Sequence, residues 1–248
     1  MNATRGTILD PDMRGATMIA GVDGTSQGWI AVLCDDDLGN LRACFIERLT
    51  ELPHELRVAA VDVPMGLPDR GAREADHRAR QALGEPRRKS VFPCPIRPAL
   101  GAHLWEEACT RTERVEGRRI SKQTFGILRK VEETDRLIRS ESWARRIFHE
   151  VHPELSFAKW AGRPMTYKKK HPAGREERLK LLNDVFGPRA FETALETIRG
   201  HYIARDDLAD AFAAVWTASR IVKGNAERLP ERWPEPVDSK GVSMHIWV

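Results

Sequence analysis

Short apolar runs separated by turn-forming residues open the sequence, before longer stretches with helical periodicity. Three runs from Met18 onwards predict an antiparallel three-stranded meander: MIAGVD, WIAVLCD and LRACFIE. The segment TELPHEL then predicts a short helix with Thr50 as its N-cap. VAAVDVP predicts a fourth strand, and its continuous apolar character is typical of a strand covered on both faces.

The pattern beyond residue 70 is mainly helical. Helices are predicted at 72–83, 104–114, 121–139, 175–184, 190–199 and 204–223, with a proline-rich loop at 85–98. Between them, ARRIFHEV predicts a fifth strand that ends before Pro153, and GVSMHIWV at the end of the sequence could add an edge strand. This order predicts an α/β fold in which helices flank a mixed sheet.

The sequence of 248 residues suits one large domain or one domain with an insertion. Residues 1–17 lack apolar periodicity, which predicts a disordered N-terminal extension or a folded start close to Met18. Residues 18–248 are therefore interpreted as a single domain.

The amino-acid composition excludes only a few classes of function. The 41% hydrophobic and 31% charged residues suit a soluble protein, and the formal charge of +4 does not by itself require a nucleic-acid partner. Four cysteines lack zinc-ligand spacing, and no secretory or membrane-length apolar segment is present, so a cytoplasmic protein with free thiols and no membrane partner is predicted. Basic residues concentrate at 70–89 and 111–130, either as solvated helix faces or as an anion-binding surface.

Acidic side chains mark the ends of several predicted elements. Asp23 and Asp62 each end an apolar strand, and ligand sites of open α/β sheets lie beyond the carboxyl ends of strands. Asp207 and Asp210 share one helix face because they are three residues apart. Glu150, at the end of the fifth strand, is a further candidate. Like charges brought together favour a cation, and carboxylate oxygens favour Mg²⁺ or Mn²⁺.

Simpler interpretations exist for each acid alone. An acid in the first turn of a helix, such as Asp206, complements the helix dipole, and an acid that ends a strand can bind loop amides. Four such placements in one chain favour a metal site over four separate coincidences. His152 could act as a further metal ligand or only form hydrogen bonds in its loop.

Several motifs resemble one family over about 18–248. They are GVDGTSQGW, VDVPMGLP, the arginine and aspartate pattern of 73–80, SVFPCP, SKQTFGILRKVEETD, EVHPELSF and DDLADAFAAVWTA. Together they resemble the domain of unknown function family 429, described as predicted ribonuclease H-like nucleases. The resemblance implies a ribonuclease H-like mixed five-stranded sheet whose first three strands are antiparallel. It also implies that Asp23 and Asp62 are strand acids, and that Asp207 and Asp210 are late helix acids like those of junction resolvases.

Two features depart from ribonuclease H itself. That enzyme carries a glutamate on the helix between its third and fourth strands, where this chain offers only Glu51 and Glu55 outside any matching motif. The helical stretch at about 70–140 also resembles an insertion, which could form a cap over the site.

The leading hypothesis is metal-dependent hydrolysis of phosphodiester bonds, with Mg²⁺ or Mn²⁺ held by the acids and nucleic acid as a partner. The predicted substrate contacts are Arg73, Arg80, Lys122, Gln123 and Lys130. Two alternatives remain: a small-molecule phosphotransferase or phosphatase of related fold, and a non-catalytic binding module. The sequence does not indicate an oligomeric state.

Overall fold

A central five-stranded sheet organises the protein, whose computed structural model describes residues 17–248. The strands are β1 (Met18–Gly24), β2 (Trp29–Asp35), β3 (Arg42–Ile46), β4 (Val58–Val61) and β5 (Phe148–Glu150), in the spatial order β3-β2-β1-β4-β5. Strand β2 is antiparallel to β1 and β3, whereas β4 and β5 run parallel to β1. The predicted mixed, ribonuclease H-like α/β sheet is confirmed.

Nine α-helices flank this sheet within residues 17–248. They are α1 (Glu74–Arg87), α2 (Trp105–Glu116), α3 (Lys122–Gly126), α4 (Leu128–Ser140), α5 (Ser142–Ile147), α6 (Pro153–Ala161), α7 (Pro172–Phe186), α8 (Ala190–Thr197) and α9 (Arg205–Val222). A two-stranded sheet joins β6 (Arg228–Leu229) to β7 (Ile246–Trp247). Across the described residues, the helices are too short or too polar to cross a membrane.

Strand alternation divides the core into two layers. Ala20 and Val22 of β1 pack with residues of α4 and α5, whereas Ile19 packs on the other face with α9. Both faces of the central strands are thus buried, which explains why β4 is apolar throughout and why β1 and β2 are apolar up to the acids near their ends, Asp23 and Asp35. Helix α4 belongs to the segment predicted as an insertion, yet it covers one face of the sheet.

Gly21 sets the distance between β1 and α9. A Cβ atom on this glycine would lie 2.1 Å from the Val215 amide nitrogen and 2.2 Å from the Ala211 carbonyl oxygen. The backbones of strand and helix therefore touch, helped by the small buried residues Ala211, Ala214 and Ala218. This close approach brings the first turns of α9 to the carboxyl end of β1.

Gly21→Ala is expected to lower the free energy of unfolding by about 3 kcal/mol, because the added methyl group meets backbone atoms that cannot move aside separately. Urea unfolding measures the change. Gly126→Ala is the matched control, since a Cβ at that position meets nothing within 4 Å. Equal stability of the two variants would contradict the close packing of β1 on α9.

Three of the predicted elements differ clearly from the structure. The fifth strand is only Phe148–Glu150, because Ala144 and Ile147, spaced three apart, are buried on helix α5 instead. The helix predicted at 121–139 is divided into α3 and α4 at Ile127. The short helix near residue 50 is a 3-10 turn (Leu49–Glu51) whose N-cap is Arg48 rather than Thr50.

The two ends of the sequence complete the comparison. Part of the predicted C-terminal edge strand forms β7, which pairs with β6 and touches the main sheet through one bridge between Val151 and Trp247. The predicted disordered extension at 1–17 lies, except for its last residue, outside the described residues.

Candidate functional site

Two strand ends place Asp23 and Asp62 side by side. Val22 of β1 is opposite Val61 of β4 in the parallel register, and the Asp62 amide donates a hydrogen bond of 2.9 Å to the Val22 carbonyl. Asp23 follows Gly21 by two residues, and Asp62 follows Ala60 by two. Both acids therefore project towards the face that α9 covers.

Helix α9 adds a third carboxylate at this point. Oxygen atoms of Asp23, Asp62 and Asp210 all lie within 4.8 Å of one another. Asp23 and Asp210 are buried, with 8% and 5% of their surface exposed, and Asp62 is half-buried. The Gly24 amide donates to Asp23 Oδ1 at 2.7 Å. These three residues, called the carboxylate group below, concentrate negative charge where water has limited access.

Lys169 is the cation that the chain itself supplies to this group. Its Nζ donates to Asp210 Oδ2 at 2.5 Å and lies 3.8 Å from Asp206 Oδ2. The carboxylates raise the pKa of Lys169 above its ordinary range, although burial opposes this shift. One ammonium partly offsets the repulsion among three carboxylates.

Burial and mutual repulsion shift the titration of the acids. Burial raises the pKa of Asp23 well above its usual range, and the charges of Asp62 and Asp210 raise it further. Burial and Asp210 raise the pKa of Asp62 to about 6, against an opposing effect of His152. Burial also raises the pKa of Asp210, while Lys169 acts in the opposite direction. At neutral pH the negative charge of the carboxylate group therefore exceeds the positive charge that neighbouring side chains supply to it.

The carboxylate group lies in a cleft of about 1000 Å³. Besides Arg73, which is bound to buried acids, the basic residues that line this cleft are called the basic rim below: Arg87, Lys89, Arg129, Lys130, Lys168, Lys169 and Lys170. Half-buried His152 lies in the same cleft. Five further acids also line the cleft: Asp76, Glu85, Glu133, Glu150 and Glu154. The site thus combines a carboxylate group that suits a cation with basic residues that suit an anionic ligand.

Residues 21–235 match the model of a family described as protein of unknown function (DUF429). The chain belongs to this family. The family description assigns no activity to its members. Comparison with curated proteins found no match, and comparison with solved structures found none either.

Two of the predicted ligands of this DUF429 protein lie outside the carboxylate group. Asp207 is half-buried in the first turn of α9, where burial and neighbouring Asp206 raise its pKa to about 6. Glu150 follows Phe148 by two residues and so projects to the opposite face of the sheet from Asp62. Both Glu150 oxygens already accept hydrogen bonds, from Arg73 and from the Met65 amide, at 2.6–2.7 Å.

The predicted substrate contacts separate into three kinds. Arg73 is only 4% exposed and is bound to Glu150 and Asp76, so it is part of the buried structure rather than a surface that faces a substrate. Arg80 is also structural, since its Nε donates to the Val91 carbonyl at 3.0 Å.

The remaining three differ in their distance from the cleft. Lys122 and Gln123 are exposed but do not line it, and the Lys122 ammonium lies over the Trp105 ring. Lys130 does line it, with its ammonium 4.4 Å from the centre of the Trp29 ring and bonded to the Gly28 carbonyl. Arg73 and Lys130 both line the cleft, but Arg73 is occupied by Glu150 and Asp76, so Lys130 is the predicted contact that is left to meet a substrate.

The sequence interpretation missed the lysines at 168–170. They lie in a polar segment between α6 and α7, where such a run is usually solvated. Their proximity to the carboxylate group depends on the packing of α7 against α9. Such a contact between separate helices leaves no pattern in the sequence around the lysines. The run of three lysines was the one signal available.

Raising the pH from about 4 to 6 is expected to destabilise the metal-free protein. Asp62 keeps its proton up to about pH 6 when folded but loses it near its ordinary value of 3.8 when unfolded. In this pH window the folded state therefore binds one more proton than the unfolded state. The free energy of unfolding falls by about 2 kcal/mol as the pH rises, a figure that includes a reduction for the solvent access of Asp62.

Thermal unfolding in EDTA across this pH range measures the effect. Asp62→Asn should show a flatter profile, and Mg²⁺ should raise the melting temperature more above pH 6 than below it, because ionised carboxylates bind the ion. Parallel profiles for the wild type and Asp62→Asn would contradict the shifted pKa.

Proposed function

We propose that this DUF429 protein is a nuclease that hydrolyses phosphodiester bonds with the aid of Mg²⁺ or Mn²⁺. The observation that carries the proposal is the convergence of Asp23, Asp62 and Asp210 within 4.8 Å at the bottom of a cleft with a basic rim. A polyanionic substrate and an oxygen-ligated cation fit these two charge patterns together.

The carboxylate group fits a hard divalent cation. It offers only oxygen ligands, lies at the carboxyl ends of parallel strands, and includes acids whose pKa values are raised by burial and mutual repulsion. Asp23, on which both Asp62 and Asp210 act electrostatically, would be the central ligand. A bound ion would lower the pKa of water and polarise a phosphoryl oxygen.

The chain's own residues would then position the substrate. Lysines of the basic rim would contact phosphate oxygens, which holds the backbone in register without selecting a sequence. Lys169 would exchange its bond with Asp210 for a contact with phosphate, because a bound cation takes over its role among the carboxylates. His152 lies close enough to act electrostatically on Asp62 and would help to orient the polar groups there.

A reducing, cytoplasmic setting belongs to the same proposal. All four cysteines are free thiols, and three of them, Cys34, Cys94 and Cys109, are buried. Burial raises the pKa of the Cys34 thiol to about 12, which keeps it protonated and unreactive.

Incubation with labelled single-stranded, duplex and branched DNA and RNA, in Mg²⁺, Mn²⁺ or EDTA, tests the proposed activity. Cleavage in either metal and none in EDTA is expected. A small aryl phosphate is the comparison substrate. Its hydrolysis without cleavage of any oligonucleotide would replace the nuclease by a phosphatase, and no turnover together with no metal binding would leave a binding module.

A further inference from the structure

One aromatic side chain of the cleft is left open to the solvent. Phe92 lines the cleft with 47% of its surface exposed. Among the described residues, no aromatic ring stacks on it and no cation lies over it. Single exposed apolar residues are ordinary on protein surfaces. Tyr202 and Trp233 are also exposed, but neither lines the cleft, so the position of Phe92 is what distinguishes it.

The backbone on both sides of Phe92 is fixed. Arg80 Nε donates to the Val91 carbonyl at 3.0 Å, and Thr124 Oγ1 donates to the Pro93 carbonyl at 3.1 Å. Val91 is itself buried. The ring is therefore presented from an anchored segment, which reduces the conformational entropy lost when a ligand contacts it.

The charges around the ring indicate what such a ligand would be. Lys89 lies three residues before Phe92, and the rest of the basic rim lines the same cleft. Proteins bind single-stranded nucleic acid through aromatic faces placed among basic residues, with a base on the ring and phosphates along the basic residues. In a duplex, base faces are stacked on one another and cannot reach such a ring.

We propose that the cleft binds single-stranded nucleic acid with one base stacked on Phe92 and the backbone along the basic rim. The hydrolysis of that strand at Asp23, Asp62 and Asp210 rests on the proposed nuclease function, whereas the binding itself does not. Because every base presents a flat face, little sequence selectivity is expected. This mode of binding requires a strand whose bases are not paired with a second strand.

Fluorescence anisotropy in EDTA tests the binding without cleavage. The probes are single-stranded DNA and RNA of about 12 nucleotides, the corresponding duplex, and a sugar-phosphate strand of equal length without bases. Phe92→Ala is expected to weaken single-strand binding by about 5- to 150-fold while leaving the baseless strand unchanged. Phe92→Trp should restore affinity, and Tyr202→Ala, which removes an exposed ring outside the cleft, should change nothing.

Three results would overturn the proposal: wild-type protein that binds no single strand or prefers duplex, Phe92→Ala that binds as the wild type does, or an equal loss for the baseless strand. Melting temperatures of the variants show whether they fold, and Phe92→Trp keeps the test decisive if the alanine variant does not. Phe92-dependent binding without cleavage in Mg²⁺ or Mn²⁺ supports this proposal while refuting the nuclease. Cleavage of single strands that does not depend on Phe92 supports the nuclease while refuting the stacking of a base on Phe92.

Discussion

Asp23→Asn is expected to reduce Mg²⁺-dependent cleavage of an oligonucleotide by roughly 1000-fold or more, because losing one charged ligand removes several kcal/mol of transition-state charge stabilisation. Asparagine keeps the shape of the side chain and can still accept from the Gly24 amide, so the fold should persist. Relief of repulsion with Asp62 and Asp210 should even raise the melting temperature of the metal-free variant.

Initial rates of cleavage at saturating metal measure this effect. Asp184→Asn is the control, since it makes the same chemical change at an exposed position on α7, and its rate should equal that of the wild type. Cleavage by Asp23→Asn at a rate close to that of the control would contradict a central role for Asp23.

Arg73→Met is expected to lower the free energy of unfolding by about 3–5 kcal/mol, because it leaves buried charges without a partner. Arg73, Asp76 and Glu150 are each no more than 5% exposed. The arginine bonds to Glu150 through both terminal nitrogens and to Asp76 at 2.5 Å. Methionine fills a similar volume but neutralises neither acid.

Chemical denaturation of the wild type and of Arg73→Met measures the difference in the free energy of unfolding. The control is Arg78→Met, which removes an exposed ion pair of 3.1 Å with Glu74 and should cost less than about 1 kcal/mol. A stable Arg73→Met protein that has lost affinity for oligonucleotides would instead support the prediction from the sequence that Arg73 contacts the substrate.

The strand acids could be predicted because the signal for them is local. Asp23 and Asp62 each follow an uninterrupted apolar run, and a parallel arrangement of those runs is enough to bring the acids together. The same logic gave the mixed sheet. The sequence also predicts Asp210 through its spacing from Asp207, but spacing alone does not show which of the two reaches the strand ends. That depends on the contact of α9 with Gly21.

The charged residues that bind one another across long stretches of sequence could not be predicted in this way. Arg73 meets Glu150 across 77 positions, and Lys169 meets Asp210 across 41. A charge in a sequence looks the same whether it faces water, a substrate or a buried partner. The sequence therefore predicts Glu150 and Arg73 as site residues although each is the other's partner, and it does not distinguish Lys169 from a solvated lysine.

Diffraction from crystals soaked in Mn²⁺ at a pH above 6, with data collected for anomalous scattering, tests the metal site most directly. An anomalous peak bound by Asp23, Asp62 and Asp210 is expected, with the Lys169 ammonium moved away from Asp210. Glu150 should remain bound to Arg73. A carboxylate group that holds no manganese, with Lys169 still on Asp210, would contradict the proposed metal site.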